Sequence, residues 1–257
     1  MGKPLVVLVT TVAAARQVVN DILTKEREPV IGVACKRTFY NGPLMLLMIS
    51  TYSGKIYEFD IKQNPELIIE GRIIRLLQAV DLIKVFHDVR RDNRALFQQY
   101  GIRVQNVFDT QIAYAVLMKD ASLSPRFISV YNLYMKYCRH GNDSDVIEKH
   151  LLDEPNDTEL FWARRPLNAT MVTHSAISAA ALVPGIYEAM KRELRPESVE
   201  VFEILCNEVL RLKPSVCRPT SEKPPTTQSF RPPITKFTRQ QVALLKKTAT
   251  NSNTDYI

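Results

Sequence analysis

Asp92 in HDVRRDNRALF could hold a cation or a proton, and His174 and Ser178 in RPLNATMVTHSAISAAAL stand one helical turn apart, facing one groove. A histidine so placed can act as a base, or it can be a satisfied core histidine on a small, apolar helix face beside Met171, Ser175, Ser178 and Ala179. Cations surround these positions. Lys36 and Arg37 end the run VIGVACKR, Arg90, Arg91 and Arg94 share the Asp92 segment, and Arg164 and Arg165 precede the His174 segment. Clusters of this kind neutralise phosphates, or they form an ordinary solvated face. Asp88 and Asp92 are spaced one turn apart, so they also read as an N-cap and an exposed acid at a helix start.

The elements that position these residues follow from periodicity. VVLVTT (6–11) is extended, an amphipathic helix follows over 13–23, and runs at 29–36, 44–51 and 55–61 read as strands, with Tyr52-Ser53-Gly54 as a tight turn. That is a three-strand antiparallel meander. A helical stretch at 73–80, a strand at 84–87, a helix with Asp88 at its start and Gly101 as its stop, and a strand at 106–109 come next. Helices then dominate at 111–118, 127–138, 146–152, 169–190 with a kink at Pro184, and 198–212. The order predicts an α/β fold, a mixed sheet flanked by helices with a helical C-terminal part.

Composition frames this reading. With 46% hydrophobic and 24% charged residues, 257 residues can bury one substantial core, and no apolar run approaches the length of a membrane span, so no membrane partner is expected. Alternating valines at the N-terminus read as a strand and not as a signal peptide. Cys35, Cys138, Cys206 and Cys217 lack CxxC spacing, which points to reduced thiols and neither a zinc site nor a disulfide framework. Of the net charge of +7, the segment 213–257 holds +6 (eight Lys/Arg against Glu222 and Asp255), leaving +1 for 1–212. Six prolines among Ser and Thr make 213–257 a basic, Pro-rich tail expected to be disordered, behind a folded domain at 1–212. Within it Thr235 to Ala249 reads as a short partner-binding helix or as plain solvated tail.

The segments VIGVACKR, KVFHDVRRDNRALF, VFDTQIAYAVL and RPLNATMVTHSAISA, in that order, resemble the DEDD superfamily of 3′-5′ exonucleases, RNase D branch, with its RNase H-like fold. HDVRRDNRALFQQYGI is similar to the egalitarian-like, piRNA-linked group within that branch. In such enzymes two divalent ions about 3.5 to 4 Å apart are held by four carboxylates. The resemblance places those acids at Ala34, Lys36, Asp92 and Ser178, with the general base at His174. One acid of four survives, and Lys36 puts a positive charge where cations would sit, with Asp92 as its expected partner. Asp109 in FDTQ is expected to hold the neighbouring turn.

The expectation is therefore a catalytically inactive exonuclease-like domain with no catalytic residue, metal or cofactor, acting as an RNA-binding adaptor in a ribonucleoprotein complex. Lys36, Arg37, Arg90, Arg91, Arg94, Arg164 and Arg165 would contact RNA, in single-stranded form. The resemblance further implies a homodimer, Tudor-domain and PIWI-family partners, piRNA-linked gene silencing in meiosis, and cytoplasmic, germ-granule localisation. It also implies an N-terminal Lsm-like domain, so this chain is either a fragment or a shorter relative. Two alternatives stand beside it: a protein scaffold that binds no RNA, and an active metal-dependent exoribonuclease. Phe39, Tyr40 and Tyr100 read as exposed aromatics for base stacking or as core residues.

Overall fold

A computed structural model describes residues 6–37, 42–138 and 161–211. The expected helix at 146–152, Phe39, Tyr40, Cys217 and the segment 213–257 lie outside them. Six strands form one mixed sheet: β1 (Val6–Val9), β2 (Val30–Arg37), β3 (Leu44–Thr51), β4 (Ile56–Asp60), β5 (Ile83–Phe86) and β6 (Val107–Asp109), in the order β1-β4-β3-β2-β5-β6. The meander holds, since β2 pairs β3 and β3 pairs β4 antiparallel. β1, β5 and β6 join parallel to their neighbours. β3 is buried along its whole length because it lies at the centre of the sheet with cover on both faces, which is why LMLLMI is continuously apolar and does not alternate.

Helices cover the faces: α1 (Val12–Lys25), α2 (Ile73–Gln78), α3 (Arg90–Tyr100), α4 (Thr110–Asp120), α5 (Val130–Tyr137), α6 (Ala169–Ala180), α7 (Tyr187–Glu193) and α8 (Pro196–Arg211). α1 is fixed at its start by Thr11 Oγ1, which accepts from the Ala14 N–H at 3.3 Å, and buries Ala15, Val18, Val19 and Ile22. Pro184 breaks the predicted long helix. Val183 leaves helical geometry (φ −131°, ψ 133°), and a π-type turn at Leu182–Ile186 joins α6 to α7. Counted through that break, Ala169–Glu193 is 25 residues long and, by length and composition, apolar enough to cross a membrane. This corrects the expectation that no run approaches that length. Half of its most apolar stretch is buried inside the domain, and α6 packs on β2, β3 and β4, so its apolarity serves the core.

Two starts differ from expectation. α3 begins at Arg90 and is not capped by Asp88, whose left-handed backbone (φ 54°) and Arg90-bound carboxylate keep it out of the cap position. α5 begins at Val130, with Ser129 Oγ accepting from Asn132 N–H at 3.2 Å. Pro125 and this cap leave Phe127 in the preceding extended loop.

Candidate functional site

Strand register decides what shares a face. Ala34 lies opposite Met48 and Met48 opposite Glu58, while Lys36, Leu46 and Asp60 form the next row, so Ala34, Lys36, Glu58 and Asp60 project from one side of the sheet. α6 covers that side. Ala34 and the buried Met48, Trp162, Met171 and Ala179 form a compact apolar cluster there, and Lys36 Nζ lies 5.0 Å from the Trp162 ring centroid. α6 approaches closely at Gly32, where an added Cβ would stand 2.8 Å from Ala179 O, and Ser50 Oγ donates to the same carbonyl at 2.8 Å. Ser178 is half-buried and its hydroxyl donates back to His174 O at 3.3 Å, which is an intrahelical use of the group.

Asp92 is answered from the other side of β2. The ladder is irregular between Lys36 and Arg37, and Arg37 turns its guanidinium onto Asp92 at 3.0 Å and donates to Arg91 O at 2.6 Å. Both side chains of the pair are nearly buried, 12% and 13% exposed. The expected Lys36–Asp92 pair is thus replaced by Arg37–Asp92, because alternation along β2 turns Cys35 and not Lys36 towards α3. Burial raises the Asp92 carboxyl above its usual range while Arg37, then Lys36, pull it down. The Cys35 thiol is pushed well up, by burial first and then by the charge of Asp92.

The other arginines divide into two groups. Arg90 is bonded to Asp88 through Nη2 at 2.7 Å and through Nε. Arg165 grips Asp60 with a forked pair of bonds, Nε to Oδ2 at 2.6 Å, and also donates to Trp162 O at 3.0 Å. Arg37, Arg90 and Arg165, three of the expected RNA contacts, have their guanidiniums held by Asp92, Asp88 and Asp60, partners that sequence spacing did not give them. Arg91 and Arg164 are exposed and Arg94 is half-buried.

Asp109 behaves as expected. One oxygen accepts from Asp88 N–H at 3.0 Å and Gln111 N–H at 2.8 Å, the other from Val89 N–H at 2.8 Å, joining the end of β6 to the start of α3. Next to it, Gln111 accepts from Ile128 N–H at 3.0 Å and donates to Arg126 O at 3.1 Å.

Sequence reasoning missed Glu58. Its side chain is fully buried beneath α6, and neither carboxyl oxygen has a hydrogen-bond partner among the described residues. Ser175 lies near enough to lower its proton affinity, yet the Ser175 hydroxyl is committed to Val172 O at 3.0 Å. Burial dominates and raises the Glu58 carboxyl to about 7. The signal was present in KIYEFDI, whose alternation puts Glu58 and Asp60 on one face. Among the described residues no three His, Cys, Asp or Glu side chains gather into a metal-holding group. A methyl, an ammonium and a hydroxyl at 34, 36 and 178, with Asp92 bound to Arg37, do not fit the paired divalent ions that such a fold implies.

The fold and its motifs have known counterparts. The RNase D of Trypanosoma brucei in complex with RNA U12 superposes with a TM-score of 0.67 at 17% identity, covering 96% of this chain and 79% of that one. The catalytic core of RRP6 from the same organism gives a TM-score of 0.58 at 23% identity, covering 81% and 50%. At these identities the likeness establishes the RNase H-like exonuclease fold. An Egalitarian protein homolog from Caenorhabditis elegans is 29% identical over 231 residues, 87% of this chain and 39% of the relative. The mouse piRNA biogenesis protein EXD1 is 27% identical over 170 residues, 62% of this chain and 29% of the relative. The chain therefore spans well under half the length of these relatives. Residues 33–195 match the 3′-5′ exonuclease family, a span running from β2 to the end of α7 and carrying the Asp92, FDTQ and RPL segments in order, so the chain belongs to that family.

Proposed function

We propose that this domain keeps the nuclease fold without the nuclease chemistry and acts as an RNA-binding adaptor in a ribonucleoprotein assembly serving piRNA biogenesis or gene silencing. One observation carries the loss of chemistry: the surviving acid, Asp92, is neutralised by Arg37 at 3.0 Å, while the positions that the family resemblance gives to its metal-binding companions hold Ala34, Lys36 and Ser178. RNA binding is supported by the relatives' kinship and by the exposed Arg91 and Arg164 with half-buried Arg94. Residues 213–257 add their six net positive charges. A homodimer, Tudor-domain and PIWI-family partners, and a cytoplasmic germ-granule location belong to the same proposal by kinship with the piRNA-linked relatives.

The experiment has two arms on the full chain. End-labelled single-stranded RNA incubated with excess Mn²⁺ keeps its length, and processive shortening abolished by Asp92→Asn would overturn the inactive reading. Filter binding of the same RNA at low salt yields a saturable curve. A second reading, a protein scaffold without RNA, is favoured by the internal commitment of Arg37, Arg90 and Arg165, and it replaces the first if low-salt binding is undetectable.

A further inference from the structure

Phe127 is the one aromatic side chain in the exposed class among the described residues, at 47%. Its exposure is built, not accidental. Gln111, itself 5% exposed, holds the backbone on both sides of it, accepting from Ile128 N–H and donating to Arg126 O, and so fixes the path of the loop that presents the ring. His87 meets the ring at a centroid distance of 5.9 Å and an interplanar angle of 64°, a tilted contact that steadies the ring without stacking on it. His87 is anchored in turn through Nδ1 to Thr110 Oγ1 at 2.8 Å. Burial lowers His87 to about 4, so the imidazole beside the ring is neutral at physiological pH.

Charge completes the platform. From Ala121 to Cys138 the chain carries Arg126 and Lys136 and no acid, and Arg126 is exposed immediately beside Phe127. An open aromatic face with a flanking guanidinium suits a nucleobase and its phosphate together, because every base has a π-face and stacking needs no sequence match. We infer that Phe127 is a base-stacking platform for single-stranded RNA, held out from the fold by the Gln111 amide and flanked by Arg126. The inference rests on the RNA-binding reading above and gives it a location at the FDTQ end of the sheet.

The test uses the full chain and a fluorescein-labelled 12-nucleotide oligouridine read by anisotropy. Phe127→Ala weakens binding roughly tenfold to a hundredfold at fixed salt, because one stacked base is lost, and leaves the slope of log affinity against log salt unchanged, because no phosphate contact is lost. Phe127→Trp keeps the affinity and supplies a reporter whose emission unlabelled oligouridine quenches, against the buried background of Trp162. If RNA binds the wild type and Phe127→Ala equally, or leaves the Phe127→Trp emission unchanged at saturation, the stacking platform is wrong and RNA binding stands. If no form of the chain binds RNA, both fall together.

Discussion

Asp92 and Glu58 are both carboxyl groups withdrawn from water, one facing a guanidinium at 3.0 Å and the other without a hydrogen-bond partner among the described residues. Their responses to substitution follow from that difference. Arg37→Ala leaves Asp92 buried and unanswered, which costs about 3 kcal/mol, whereas Arg37→Met with Asp92→Leu restores most of the loss by removing both charges. Urea midpoints of the wild type and the two variants check this, and a double variant as unstable as the single one would contradict it. Glu58 acts through pH. Its folded value, about 7, lies above its ordinary value of 4.5, so the stability of its protonated form is complete below about pH 4.5 and is lost as pH rises through 7. The loss is about 3 kcal/mol across that window. Glu58→Gln, which cannot ionise, should remove this slope, so the stability difference between wild type and variant moves against wild type from pH 4.5 to about 7 and is level above it. Parallel curves over that range would show that Glu58 is ionised throughout. Neither feature was legible residue by residue. Spacing along β2 does not say which of Lys36 and Arg37 faces α3, and the burial of Glu58 is set by α6, more than a hundred residues away in sequence.

Helices and strands were read more fully than side-chain partners, because their signals are local. The meander was visible in three apolar runs and a Tyr-Ser-Gly turn, and the α3 stop in Gly101, whose left-handed backbone (φ 68°) asks for glycine. The errors lie where a distant contact overrules the local pattern. Asp88 looks like a cap, yet the Asp109 carboxylate, reached from β6, takes the N–H groups of Asp88 and Val89 and sets the entry to α3. α6 against the sheet is likewise non-local, and Gly32 is the point that admits it. Gly32→Ala would place a methyl 2.8 Å from Ala179 O, a backbone atom that cannot swing aside. Lifting α6 from β2 costs roughly 2 kcal/mol. The same variant should speed amide exchange along α6 more than along α1, which packs on other elements. Uniform exchange through both helices would mean that α6 is not docked through Gly32.

At the scale of the whole molecule, charge and fold are unevenly shared, with a net +1 on residues 1–212 and +6 on 213–257. Affinity for RNA that comes from phosphate neutralisation should follow the second number, and affinity that comes from stacking at Phe127 should follow the first segment's geometry. Salt separates them. Each phosphate contacted by a single strand's partner contributes about 0.7 to the slope of log affinity against log salt. Deleting 213–257 should therefore reduce that slope by as much as about 4 if all six net charges engage phosphates. The shortened chain should still show the Phe127→Ala loss, measured at low salt where its weaker binding is saturable. A slope that survives the deletion would relocate the phosphate contacts to the folded domain, with Arg91, Arg94 and Arg164 as the groups to substitute next. A deletion that abolishes the effect of Phe127→Ala as well would mean that the two segments bind as one unit, with the tail holding the strand against the ring.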